Sequence, residues 1–456
     1  MRDDKSLCEV RVSSSEVVNT SYVYALSAVA ALAGLLFGFD TAVINGALVF
    51  LRQEFRLTDS QTEIAASALL VGCLFGSAAA GALADRYGRR RSLIGAALLF
   101  CVSSLWTALP HSLGEFAAAR LVAGLAIGVA SVVAPMYIAE IAPAAIRGKL
   151  VTLNQMAIVT GILLSYFVNW RLAALGTSSW RWMFASAAVP SLGFLLALLF
   201  IPESPRWLLR RHRDAEARRT LERVSGGAAA DAQIAEIQRS LAEETGSFAE
   251  ILAPRLRKPL AIAVLLAVFS QITGINTVIY YGSVLFKEHG GRAAGDALGA
   301  NVIIGLINFL CTIVAIALID RVGRKPLLLA GSAGMGAALV LVAVAFHITP
   351  LPANLMVGAV LAYVACFAIS LGPGSWVYIS ELFPTAVRGR AMSIATLALW
   401  AACTLVTFTF LTMLRVLGPA GAFLVYAFFC AVTFLFVWRF TPETKGRTLE
   451  EISSSW

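Results

Sequence analysis

Asp40 and Arg120 are the residues of this sequence whose types and setting best suit chemistry. Asp40 stands in LLFGFDTAVINGAL, residues 35–48, and no other charge occurs between Glu16 and Arg52. Arg120 opens a second apolar run, RLVAGLAIGVAS, residues 120–131. A charge at the centre of a bilayer costs about 2.5–3.5 kcal/mol on insertion scales, so it faces a partner or a polar cavity. The two signs are opposite, and the simplest reading is a pair. Arginine keeps its proton. Aspartate can exchange one, because the guanidinium favours the carboxylate while the apolar surroundings favour the neutral acid. The chemistry in view is reversible proton binding. Gly34 and Gly38 lie one helical turn apart, as do Gly124 and Gly128. Small residues at that spacing let helices approach closely. We therefore expect Asp40 and Arg120 to meet where these two faces touch.

A second set of polar residues is uncharged. Asn154 and Gln155 lie in one apolar run. Gln271, Asn276 and Tyr280 surround Gly274, an expected helix break. Asn308, the Gly372-Pro373-Gly374 interruption before Trp376, and Trp400 complete the set. Amides donate and accept at once, which suits the hydroxyls of a neutral polyhydroxylated solute. Indole rings suit its apolar face. Taken singly, each amide is equally well explained as a bond between neighbouring helices.

The elements that hold these residues are membrane spans. The chain has 456 residues, 59% hydrophobic and 14% charged, where soluble domains carry about 25% charge. At about 20 apolar residues per span, twelve are expected: 23–50, 62–84, 92–109, 114–136, 150–170, 181–201, 259–286, 297–319, 326–347, 354–379, 391–414 and 419–440. The fold class is all-α polytopic, twelve transmembrane helices. The formal charge of +9 does not signal nucleic acid, because 28 of the 36 Lys and Arg fall in alternate loops on one side. By the positive-inside rule that side is cytoplasmic, and both termini with it. The expected location is the plasma (inner) membrane. The first apolar run is too long for a cleaved signal peptide. Seven cysteines and four histidines show no disulfide or metal spacing. No P-loop and no nucleophile–base constellation is present, so neither direct ATP use nor an enzyme is expected. No metal and no cofactor is expected, the proton serving as coupling ion.

The chain repeats itself. GALADRYGRRR, residues 81–91, recurs as ALIDRVGRKP, residues 317–326. AEIAPAAIRGK, 139–149, recurs as SELFPTAVRGR, 380–390, and PESPRW, 202–207, as PETKGR, 442–447. Asp320, Glu381 and Glu443 follow Asp85, Glu140 and Glu203 by 235, 241 and 240 residues. Such order at one spacing indicates two pseudo-symmetric six-helix bundles, an arrangement common in secondary transporters. The expected layout is a tail over 1–21, a bundle over 22–202, a linker over 203–258, a bundle over 259–440 and a tail over 441–456. DAEARRTLERV and DAQIAEIQRSLAEE in the linker have helical periodicity, with SGGAAAD as a turn between them.

These motifs, with QITGIN at 271–276, resemble the sugar porter branch of the major facilitator superfamily over about residues 25–450. The likeness is greatest to bacterial proton-coupled xylose, galactose and arabinose symporters, and more distant to animal facilitative glucose carriers. The resemblance implies the major facilitator fold and import of a neutral monosaccharide or polyol by alternating access, as a monomer in the lipid bilayer. It assigns substrate contact to Phe37, Gln155, Gln271, Asn276, Tyr280, Asn308, Gly372, Trp376 and Trp400. It assigns cytoplasmic gating to Asp85, Arg89, Glu140, Arg147, Glu203, Arg206, Asp320, Arg324, Glu381, Arg388 and Glu443, with Glu140 pairing across the halves to Arg388 and Glu381 to Arg147. Proton-coupled members carry Asp at the position of Asp40, which makes Asp40/Arg120 the proton switch. Ser270, Leu399 and Cys403 depart from the family pattern by removing amides, so the sugar cannot be copied from relatives. A facilitative uniporter, a sugar sensor without useful flux and an exporter stand as alternatives, the last two ranked lower.

Overall fold

The computed structural model of the chain describes residues 19–143, 146–243, 251–288, 294–347, 353–383 and 385–445. Most of both expected tails, and residues 446–447 of PETKGR, lie outside the described residues. The apolar runs form helices with recognisable ends. In α1 (Thr20–Phe55) the Asn19 side chain accepts from the Tyr22 N–H at 3.1 Å. In α2 (Asp59–Tyr87) Thr58 and Gln61 make a capping box, which satisfies two first-turn donors at once. Gly88, at φ 96°, ends α2 and starts α3 (Arg89–Ala108). Next come α4 (Leu113–Ile141) and α5 (Arg147–Leu172). The sixth span is interrupted, giving α6 (Ser179–Ser186) and α7 (Ala188–Leu198). Pro190 explains the break, since it has no N–H for the carbonyl of Ser186 four residues back.

The linker holds α8 (Pro205–Arg210), α9 (Asp214–Ser225) and α10 (Gly227–Glu243). The turn expected over SGGAAAD shrinks to Gly226, at φ 81°. One left-handed glycine suffices to end a helix, and the alanines after it are strong helix formers that start the next. Ile234, Ile237 and Leu241 pack against Trp207, Leu208, Leu209 and Ala217.

The second bundle repeats the first. Its opening span is α11 (Pro254–Ile272) followed by α12 (Ile275–Glu288), so Arg255, Arg257 and Lys258 of the expected linker are helical. Then follow α13 (Ala294–Val322) and α14 (Arg324–His347). The tenth span divides into α15 (Ala353–Ile369) and α16 (Leu371–Glu381), because Pro373 cannot donate to Ile369. The last element, α17 (Thr385–Phe440), turns at Gly418, at φ 71°. Eleven helical stretches among the described residues are long and apolar enough to cross a membrane. The last of these, Val387–Phe440, has 54 residues. At about 1.5 Å per residue it is roughly 80 Å long, far beyond an apolar layer of about 30 Å. The turn at Gly418 divides it in two, giving twelve spans. Within the bundles α1 packs on α5 and α2 on α4, while α14 and α11 pack on α17; α2–α17 and α5–α13 join the halves. The face carrying the repeated charged loops is called the motif face below, and the opposite one the far face.

Candidate functional site

Asp40 and Arg120 meet inside the first bundle. Arg120 Nη1 donates to Asp40 Oδ1 at 2.7 Å, and Nη2 donates to the Asp40 main-chain carbonyl at 2.8 Å. Both residues are buried, at 4% and 1% exposure. Arg120 also lies over the Phe184 ring, 5.1 Å from its centroid, while its Nε finds no partner. The glycine faces do not meet as expected. A Cβ on Gly38 would fall 1.9 Å from the Ile158 carbonyl oxygen, so Gly34 and Gly38 serve the α1–α5 contact. A Cβ on Gly124 would fall 1.9 Å from the Leu69 carbonyl oxygen, so Gly124 and Gly128 serve α2–α4. A small-residue stripe states that some backbone comes close. It does not state which.

Phe37 links this pair to the uncharged residue Trp400. Phe37 stands one turn before Asp40 on α1, and its ring centroid lies 5.4 Å from that of Trp400 in the other bundle. Trp400 Nε1 is buried without a hydrogen-bond partner. An orphaned buried donor costs about 1–3 kcal/mol, and a bound hydroxyl would relieve that. On either side of Gly274, at φ 93°, Asn276 Nδ2 donates to Gln271 Oε1 at 2.5 Å and to Cys403 Sγ at 3.0 Å. Gln271 Nε2 donates to Ser270 Oγ at 2.9 Å, and the Tyr280 hydroxyl lies 3.9 Å from Cys403 Sγ. Two residues that depart from the family pattern, Ser270 and Cys403, thus occupy the amides of the family residues. Both expectations for these amides, solute contact and bonding between helices, therefore have to share the same donors. Asn308 is buried. Gln155, Gly372 and Trp376 are half-buried, as are Phe37 and Asn276. Asn154 packs against Gly34, so it belongs to the helix contact and not to this group.

Hydrogen bonds joining the halves lie toward the far face. Asn45 Nδ2 donates to the carbonyls of Ile279 at 2.7 Å and Val278 at 3.3 Å, and Asn45 Oδ1 accepts from the Ser283 N–H at 2.9 Å. The Tyr166 hydroxyl donates to the Ile279 carbonyl at 3.0 Å. Glu63 accepts from the Thr412 N–H at 2.7 Å and from its hydroxyl at 2.9 Å. None of these residues stood among the site candidates. The signal for Glu63 in the sequence is an acid at the start of the expected span 62–84.

On the motif face the expected cross-bundle pairs, which should release when the carrier opens inward, are not formed in this structure. Glu140 bonds Arg89 at 2.8 Å and also Ser204 Oγ. Glu381 bonds Arg324 at 2.8 Å and Thr444 Oγ1 at 2.6 Å. Arg147 and Arg388 instead donate to main-chain carbonyls of their own halves, Ala142 at 3.4 Å and Phe383 at 3.3 Å. Each acid takes the guanidinium that its own helix bundle presents, so these clusters fasten helices within a half. Asp85 lies 3.5 Å from Arg89, Asp320 lies 3.0 Å from Arg324, and Arg206 reaches Ser240 at 3.3 Å. Glu203 accepts from the N–H groups of Arg89 at 2.8 Å and Arg90 at 3.0 Å, capping α3. Glu443 does the same for Arg324 and Lys325, each at 3.0 Å, capping α14. A carboxylate at a helix N-terminus satisfies orphan donors and meets the positive dipole end. We predict that Glu203→Ala lowers stability by about 1–2 kcal/mol, read as a lower melting temperature in detergent. An unchanged melting temperature would remove the capping role.

Residues 26–456 match the family described as sugar (and other) transporter. The chain belongs to that family. Among its relatives is the arabinose-proton symporter of Bacillus subtilis, 38% identical over 464 residues and covering all of both chains. Another is the D-xylose-proton symporter of Escherichia coli, 39% identical over 479 residues and covering 96% of each. The E. coli xylose transporter in a partially occluded inward open conformation superposes with a TM-score of 0.84 at 37% identity, covering 94% of this chain and 100% of that one. Twelve spans in two repeated bundles are therefore the architecture of a sugar transporter family member. The buried ion pair lies within the first bundle, and Phe37 on the same helix meets the orphaned indole of Trp400 in the second.

Proposed function

We propose that this transporter is a proton-coupled symporter that imports a neutral monosaccharide or related polyol by alternating access. The observation that carries the reading is the buried Asp40–Arg120 pair set one turn from Phe37, whose ring touches Trp400 across the bundles. Asp40 has only Arg120 as a charged partner among the described residues. When it binds a proton the carboxylate charge is lost, while the Arg120 bond to the Asp40 carbonyl survives. Protonation thus weakens the hold of Arg120 on α1, the helix whose Phe37 meets Trp400. A sodium ion is a poorer fit. Besides the Thr41 hydroxyl, the neighbouring side-chain oxygen on this span is Asn45 Oδ1, which already accepts from the Ser283 N–H of the other bundle at 2.9 Å.

The sugars named for the relatives support a pentose or hexose. The departures at Ser270 and Cys403 weigh against copying any one of them. The concentration of Lys and Arg on the motif face supports that face, and both termini, being cytoplasmic. A monomer suffices for this mechanism. The test uses the purified protein in vesicles. A thermal-shift screen of pentoses, hexoses and polyols identifies the solute, and accumulation is then followed with a proton gradient imposed and with it collapsed by a protonophore. Accumulation that stops on collapse supports symport. A protein that equilibrates the same sugar but never accumulates it is a uniporter. Binding without flux would identify a sensor.

A further inference from the structure

We propose that Glu63 and Thr412 form a charged lock that holds the outer, far face of the transporter shut, separate from the proton switch at Asp40. The idea rests on the alternating-access reading above. Glu63 belongs to the first turns of α2 and is 2% exposed. A buried carboxylate is costly unless donors surround it. The donors seen here, the N–H and hydroxyl of Thr412, both come from α17 in the opposite bundle. A group that serves only folding would find its donors within its own bundle, as Glu140, Glu203, Glu381 and Glu443 do.

The surroundings add weight. Helices α2 and α17 form a principal contact between the halves. Tyr281 on α12 and Tyr426 on α17 lie within electrostatic reach of Glu63. The Tyr281 hydroxyl donates to the Thr407 carbonyl on α17 at 2.8 Å, while the Tyr426 hydroxyl is buried without a partner. Arg52 on α1 is held by Asp59 at 2.9 Å. The other bonds that cross the far face, from Asn45 and Tyr166, are neutral. Separation of the halves there takes both donors from Glu63 together. The lock holds to the extent that these two charge-assisted bonds outweigh the cost of burying the carboxylate. The carboxylate stays on the outer side throughout, which suits a lock and not a carrier of protons.

The test reads outward opening without needing transport. Cys403, beside the sugar-type residues, is kept as the sole cysteine, and a membrane-impermeant maleimide is applied from outside. Glu63→Gln keeps the volume of the side chain but loses the charge and one acceptor. The labelling rate of Cys403 is expected to rise about tenfold, the equivalent of about 1.4 kcal/mol. Thr412→Val, which keeps the main-chain donor, should raise it less. The double variant should label no faster than Glu63→Gln alone, since the two act through one contact. An unchanged rate in both single variants, or effects that multiply in the double one, would overturn the lock. Should Glu63→Gln fail to reach the membrane, Thr412→Val decides alone. Accumulation ratios measured in parallel should be unaltered, because Asp40 is intact. Absence of accumulation in the parent protein would sink the symport reading and leave the labelling result standing.

Discussion

Asp40→Asn is expected to abolish uphill accumulation of the sugar while leaving counterflow exchange intact. The amide occupies the same space, and its oxygen still accepts from Arg120 Nη1, with Nη2 still bonded to the carbonyl of residue 40. The bonds are kept while Arg120 loses its counter-charge, so the fold is expected to persist at reduced stability. Proton binding is lost. One proton moving down about 100 mV supplies about 2.3 kcal/mol, which at about 1.4 kcal/mol per tenfold supports roughly 50-fold accumulation of a neutral solute. The variant should bring the internal concentration to the external one and no further. Counterflow in preloaded vesicles measures the exchange, and a protonophore should make no difference to it. Uphill accumulation retained by the variant would remove Asp40 from the coupling step. Loss of exchange as well as accumulation would point to a positioning role instead.

Gly38→Ala is expected to be among the most damaging single methyl additions in the first bundle, beside Gly124→Ala. The new Cβ would lie 1.9 Å from the Ile158 carbonyl oxygen, 2.8 Å from its carbon and 3.0 Å from the Ile162 nitrogen. All three are main-chain atoms of α5, so no rotamer change makes room. The helices must move apart, and α1 carries Phe37 and Asp40 on the turns beside the contact. Overpacking of this kind costs about 1–3 kcal/mol or more. Reduced folded yield, a lowered melting temperature and impaired transport are expected together. Gly81 is the control, because a Cβ there meets nothing within 4 Å, and Gly81→Ala should behave as wild type. Equal behaviour of the two variants would mean that the α1–α5 contact is looser than the structure shows.

The site was legible to different depths. Asp40 and Arg120 were visible because isolated charges in apolar runs admit few explanations. Trp400, Gln271 and Asn276 were visible as types, but their mutual bonding was not, since a hydrogen bond depends on which way an amide turns. Cys403 stood only as a missing amide, and the structure gives it a place against Asn276 and Tyr280. Glu63 was passed over because an acid at a span end is ordinarily solvated.

What the sequence determined by itself was the spans, their number, the duplication and the topological charge bias. Each follows from local hydropathy, from residue identity or from self-comparison along the chain. Even the interruptions at Gly274, Pro373 and Gly418 answer to backbone rules that act within a few residues. Tertiary structure alone decided which partner each group took. Gly38 faces α5 and Gly124 faces α2; Glu140 turns to Arg89 rather than to Arg388, and Glu63 reaches Thr412. The reason is physical. Periodicity tells a helix which face to bury, but many helices offer small residues and many loops offer arginines. The choice among them depends on distances between segments hundreds of residues apart, which only the packed bundles define.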